Sequence, residues 1–82
     1  MEGIRETVRD YILHEFLRGE SPDALGDSTP LVSGGILDSI GTLKLVTFLE
    51  GTYGIAFEAH EMGKENFETI ESIVRVVRAK LG

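Results

Sequence analysis

Gly34-Gly35-Ile36-Leu37-Asp38-Ser39-Ile40 is the stretch whose reading decides the fold. Two glycines give a flexible approach, and Ile36 and Leu37 give an apolar anchor. Asp38 and Ser39 then stand where an amphipathic helix begins, predicted over Ser39–Tyr53. Ile40, Leu43 and Val46 form one apolar row of that helix, and Leu45, Leu49 and Tyr53 form the adjoining one. With Phe48 the two rows are wider than a single core-facing stripe, so some of these groups face outward. Ile40 and Leu43, beside Ser39, are the candidates: they form a partner-facing patch or cover the preceding loop. A serine at this place has its hydroxyl next to unpaired backbone N–H groups, at the positive pole of the helix. A phosphate attached to Ser39 would sit where a helix start stabilises anions. The plainer reading is that Asp38-Ser39 only caps the helix.

Upstream, Ile4, Val8, Tyr11, Ile12 and Phe16 recur at helical spacing, with Arg5, Glu6, Arg9, Asp10 and His14 on the other side. This predicts an amphipathic helix from about Glu2 to Arg18, ended by Gly19. Residues Gly19 to Gly35 read as a long loop rich in turn chemistry, pinned to the core by Leu25, Leu31, Val32, Ile36 and Leu37, with a short helical turn near Ser21 to Leu25. Downstream, Gly51 and Gly54 are expected to end the second helix. Ile55-Ala56-Phe57 reads as an extended link, since nothing would pair with it as a strand. Glu58 to Asn66 predicts a short helix weakened by Gly63. Glu58, Glu61, Glu65 and Glu68 would share one face if that helix held throughout, as a solvated face or an acidic docking surface; no glycine-turned acidic loop suggests a metal site. Thr69 caps a last helix whose stripe is Ile70, Ile73, Val74, Val77 and Leu81, with Arg75, Arg78 and Lys80 in its second half. The fold class is all-α: a small four-helix bundle of three long amphipathic helices and one short one, with a long loop between the first two. Leu45, Leu49, Phe57, Ala59 and Ile73 read as ordinary core rather than a cargo cavity.

Residues 1–82 are one domain by length, expected to be monomeric. The absence of cysteine excludes disulfides and thiolate metal sites. Eight Lys and Arg against fourteen Asp and Glu leave a formal charge of −6, which argues against nucleic acid as a partner. No signal peptide and no apolar run long enough to cross a membrane is present, so no membrane insertion and a cytoplasmic location are expected. His14 and His60 lie on separate segments without HExxH spacing. Ser39 has Asp38 beside it, but neighbouring helical residues do not face each other as nucleophile and base. Binding or carrying, rather than catalysis, is the expected role; a small hydrolase using Ser39 would need a base that is not evident.

With the helices placed, the chain resembles the phosphopantetheine-dependent carrier proteins of the acyl or peptidyl kind. The resemblance rests on Gly35-Ile36-Leu37-Asp38-Ser39-Ile40, the helix Leu43 to Glu50, Tyr53-Gly54-Ile55 and Thr69-Ile70-Glu71-Ser72-Ile73, and covers almost the whole chain. It implies that a phosphopantetheinyl transferase attaches 4'-phosphopantetheine from coenzyme A to Ser39, with Asp38 read by that transferase. Cargo would ride as a thioester between an adenylating acyl or amino-acid ligase and a downstream acyl-accepting enzyme. From the residues themselves, the expected partner contacts are Ile40, Leu43 and Lys44, with Glu61 and Glu65 as acidic docking residues. The fatty-acid type is strongly acidic along the second helix, whereas this chain has Gly41, Lys44, Thr47 and Gly51 there, and Lys44 would repel a basic docking site. The segment Glu61 to Thr69, with Phe67 two before the threonine, is similar to the free-standing carriers loaded by an adenylating ligase, such as the D-alanyl carrier proteins. The alternative is an unmodified carrier-like module that docks an enzyme and does not need Ser39.

Overall fold

The apolar spacing that starts at Ile4 produces helix α1, Ile4–Phe16, in a computed structural model that describes residues 3–82. Val8 and Ile12, one turn apart, are completely buried. The helix stops short of the predicted Arg18, because the chain leaves helical geometry at Leu17, whose N–H still reaches the Leu13 carbonyl. Gly19 then takes a positive φ of 86° just past the end. The expected start at Glu2 lies outside the described residues.

The long loop follows, with a single turn of 3-10 helix at Pro22–Ala24 where a short helical turn was expected. Leu25, Leu31 and Leu37 are buried to within 1% of full burial, so three side chains pin this loop onto the core. Each contributes roughly 1.5–3 kcal/mol of apolar burial, enough to hold a segment with no regular structure beyond that one turn. Arg5 and Arg9 of α1 add an ionic anchor through Asp27, at 3.0 and 2.5 Å.

Helix α2 spans Ser39–Tyr53. Leu45, Val46 and Leu49 are its buried side chains. Gly41 in its first turn is buried as well, and a Cβ there would stand 3.0 Å from the Phe16 ring, so its bareness lets the end of α1 close onto the start of α2. The sequence expectation that both Gly51 and Gly54 end this helix is corrected. Gly51 lies inside it, exposed, while Gly54 is the left-handed cap with φ 67°. A glycine inside a helix costs only about 1 kcal/mol, which at Gly51 the packing of Leu49 and Tyr53 on either side outweighs.

Residues 55–58 link α2 onward without regular structure, and the Phe57 N–H donates to the Glu50 carboxylate at 2.8 Å. The predicted helix over Glu58–Asn66 is instead two pieces: a 3-10 turn at Ala59–Met62 and the short helix α3 at Lys64–Phe67. Gly63 between them is extended, with ψ 169°. That break removes the common acidic face, since the register of Glu58 and Glu61 is not that of Glu65 and Glu68.

Helix α4, Ile70–Leu81, starts at Thr69, which exchanges hydrogen bonds with Ser72 in a capping box. Ile70, Ile73, Val74 and Val77 face the core, while Leu81 at the end of the stripe is 49% exposed. Helix α1 packs mainly on α4, and α3 on the start of α4. The whole is an all-helical bundle around one core that joins all four helices, the long loop and Phe57. Leu45, Leu49, Phe57 and Ile73 belong to that core, while Ala59 is exposed. No described helix is long and apolar enough to cross a membrane.

Candidate functional site

The head of α2 is built by Asp38. Its backbone is extended, and its carboxylate accepts the Gly41 N–H at 2.6 Å while its carbonyl accepts the Thr42 N–H at 2.8 Å. The cap is therefore Asp38, and Ser39 is the first helical residue, exposed, with no hydrogen bond from its hydroxyl to the described residues. Capping is local chemistry that Asp38 satisfies alone, so the Ser39 hydroxyl remains available. The first-turn N–H groups of Ser39 and Ile40 have no helical carbonyl to donate to, so the site carries the partial positive charge of a helix start.

Ser39 borders a cleft of about 640 Å3. One wall carries Val32, Gly35 and Leu37 from the long loop, with Asp38, Thr42 and Leu43 of the α2 head, and Met62, Lys64 and Phe67 come from the other side. Lys64 is the one cation in this lining, and it forms no ion pair among the described residues. The lining thus sets one cation, the Asp38 carboxylate and a helix start on a largely apolar cleft.

Ile40 and Leu43 are exposed at 68% and 57%, so both face largely outward, and Leu43 also borders the loop at the Ser39 cleft. With Lys44, Thr47, Phe48 and Tyr11 they line a shallow groove of about 490 Å3 on the outer side of α2. Its back wall is the Tyr11–Phe48 stack, with ring centroids 4.1 Å apart, and the Tyr11 hydroxyl donates to the Lys44 carbonyl at 3.3 Å. Burial, and then the charge of Glu15, push the Tyr11 hydroxyl above its ordinary value, so it stays a donor. Leu43 lines both the groove and the Ser39 cleft.

The structure places the other two predicted contact residues elsewhere. Glu61 accepts the Glu58 N–H at 2.7 Å and pairs with Lys80 of α4 at 2.7 Å. The backbone bond first, and Lys80 second, hold its carboxyl below the usual range. Glu65 is exposed. Neither residue lines the Ser39 cleft or the α2 groove.

Sequence reasoning placed Glu68 only on a shared acidic face and Phe67 only in the segment similar to the D-alanyl carriers, and it gave Met62 and Lys64 no role at this cleft. Glu68 lies between α3 and α4, and its carboxylate accepts the N–H groups of Val32 and Ser33 at 3.1 and 2.9 Å, together with the Ser33 hydroxyl. Those bonds, the Ser33 hydroxyl foremost, hold its carboxyl below the ordinary value, with Lys64 adding a smaller push.

Known proteins bear on this arrangement in three ways. No protein-family model matches the chain. D-alanyl carrier proteins of Streptococcus pyogenes serotype M5 (strain Manfredo) and serotype M1 are each 38% identical to it over 74 residues, 90% of this chain and 90% of theirs. A chain in a solved structure described as the crystal structure of a FAD-dependent dehydrogenase superposes with a TM-score of 0.77 at 30% identity, over 85% of this chain and 97% of that one. The bundle and these relatives define a carrier-type protein. The chain belongs to the phosphopantetheine carrier protein family.

Proposed function

We propose that this protein holds an acyl or aminoacyl group as a thioester on a 4'-phosphopantetheine arm attached to Ser39. The observation that carries the reading is the exposed, unbonded Ser39 hydroxyl at the capped head of α2, on a cleft whose one cation is Lys64. When attached, the arm supplies a terminal thiol for the cargo. The chain's own residues do the rest. Asp38 caps α2 and keeps Ser39 at the first helical position. Its carboxylate also faces a phosphopantetheinyl transferase, for which Asp38 and Ser39 together are the recognition pair. Ile40, Leu43 and Lys44 present the outer face of α2 to the enzymes visited: an adenylating ligase that loads the arm and an acceptor that takes the cargo. Glu65 is a second, acidic contact, whereas Glu61 is held internally by Lys80 and supports the fold around it.

Tethering serves the function by raising the cargo's local concentration at each enzyme. The relatives, named D-alanyl carrier proteins, support a carrier loaded by a ligase, and Lys44 on the docking face supports partners other than the basic fatty-acid enzymes. The likeness to a chain in the FAD-dependent dehydrogenase structure favours a flavin-dependent dehydrogenase as one class of downstream enzyme. Reduction of such a flavin on mixing with loaded carrier, matched by the loss of two hydrogens from the cargo in its mass, and not seen with unloaded carrier, tests that assignment.

The deciding experiment is the intact mass of the purified protein before and after incubation with coenzyme A and a broad-specificity phosphopantetheinyl transferase. A gain of one phosphopantetheine, mapped by fragmentation to Ser39 and absent from Ser39→Ala, is the expected result. No gain in a folded protein would overturn the reading. It would favour an unmodified docking module, for which the exposure of Ile40 and Leu43 is the supporting observation.

A further inference from the structure

One residue outside the Ser39 cleft gathers four hydrogen bonds from three consecutive residues of the long loop. The Glu68 carbonyl accepts the Leu31 N–H at 2.6 Å. Its carboxylate accepts the N–H groups of Val32 and Ser33, and the Ser33 hydroxyl. The bonds continue toward the site: the Leu31 carbonyl accepts the N–H of Ile36 at 2.9 Å and of Leu37 at 2.8 Å. Leu31 and Leu37 are both buried, so this small ring of backbone is also fixed from beneath. Leu37 is joined directly to Asp38, the cap of α2.

The same bonds join the two walls of the cleft from outside it. Val32 and Leu37 stand on its loop wall, and Lys64 and Phe67 on the wall from α3. Glu68 follows Phe67 in the chain and grips Val32, so it ties one wall to the other. A carboxylate suits this place because all three of its bonds there come from donors, and an ionised carboxylate offers only acceptors. Lys64 is the charged group that faces it, and favours the ionised form.

We propose that Glu68 is a positioning residue: through Leu31–Leu37 it sets the place of Asp38–Ser39 and the width of the cleft that receives the arm. This rests on the reading that Ser39 is the attachment site, but the local part of the test does not.

The test compares Glu68→Gln with Glu71→Gln, which removes the same charge from an exposed position of α4. Glutamine has nearly the size of glutamate but turns an NH2 group toward donors. Amide hydrogen exchange is measured on the unmodified proteins, then transfer kinetics with coenzyme A and a phosphopantetheinyl transferase. In Glu68→Gln, exchange at Ile36 and Leu37 should quicken at least tenfold, while Ile73 and Val77 in α4 stay within twofold. The transferase KM for this variant should rise at least fivefold with kcat within twofold, and Glu71→Gln should match the parent in both. Unchanged exchange at Ile36 and Leu37, or quickened exchange with unchanged KM, would overturn the proposal. If the parent protein accepts no arm, it is the attachment reading that fails, and the exchange result still decides whether Glu68 holds the loop. Should Glu68→Gln lose its helical circular dichroism, Ser33→Ala decides: it removes one donor only, and should quicken exchange at Ile36 and Leu37 twofold or more, no change being contrary.

Discussion

The Asp38 carboxylate accepts the Gly41 N–H at 2.6 Å, so the residue before Ser39 closes the first turn of α2. One side chain thus serves the fold and, in the proposed function, the transferase. The two roles are separable. Asparagine is as good a cap as aspartate, while alanine cannot cap at all. In urea unfolding, Asp38→Asn should lie within about 0.5 kcal/mol of the parent and Asp38→Ala about 1 kcal/mol below it. Transfer of phosphopantetheine should fall in both, because both lose the charge. Full transfer to Asp38→Asn would show that the carboxylate is there for capping only.

Ser39 contributes little to stability, since it is exposed and the cap is its neighbour. Ser39→Ala should unfold within about 0.5 kcal/mol of the parent. Intact mass should show no phosphopantetheine on it. A larger loss of stability would mean that the hydroxyl has a structural partner.

Phe67 is fully buried and meets Phe57 with ring centroids 5.7 Å apart, and it also forms part of the cleft wall. Phe67→Ala should cost about 3–5 kcal/mol. A domain this small has a total stability near the lower end of roughly 5–15 kcal/mol, so the variant should keep no more than about 2 kcal/mol and its thermal midpoint should fall steeply. Circular dichroism against temperature measures this directly.

Glu61 and Glu68 are both held below the ordinary carboxylate range by hydrogen bonds. A carboxyl whose folded value is depressed stabilises the fold at pH above its unfolded value and loses that contribution as pH falls through the folded one. Stability should therefore decline on acidification from roughly pH 5 downward. Glu68→Gln and Glu61→Gln should each flatten part of that decline when urea midpoints are followed from neutral pH into acid.

Lys44 contributes its backbone, not its side chain, to the Tyr11 hydroxyl bond, so its charge can be changed without disturbing α2. Lys44→Glu should leave stability within about 0.5 kcal/mol. It should also improve acceptance of a malonyl group from a fatty-acid malonyl transferase, measured as malonyl-carrier formed per minute. No improvement would remove electrostatic exclusion at this face as the reason for partner choice. Replacing Ile40 or Leu43 by aspartate should weaken loading by the cognate ligase while leaving arm attachment detectable.

What the sequence by itself determined was local in origin. The span Ser39–Tyr53 was legible because an acidic cap, two apolar rows and a left-handed glycine all act within a turn or two of where they stand. The Thr69 cap and the buried row Ile70, Ile73, Val74 and Val77 were legible for the same reason. Leu25, Leu31 and Leu37 could be recognised as anchors because leucines in a turn-rich loop have no other use. Tertiary structure alone decided the acids. Glu58, Glu61, Glu65 and Glu68 were spaced for one helical face, yet Gly63 breaks the register and the carboxylates find different partners. Glu61 reaches Lys80 on α4, and Glu68 reaches Val32 and Ser33 far back in the chain. No periodicity encodes such pairings, because they depend on which loop the folded core carries past each side chain. The cleft beside Ser39 is of the same kind. Its walls are separated in sequence by the whole of α2, and they face each other only once Leu31, Leu37 and Phe67 are buried together.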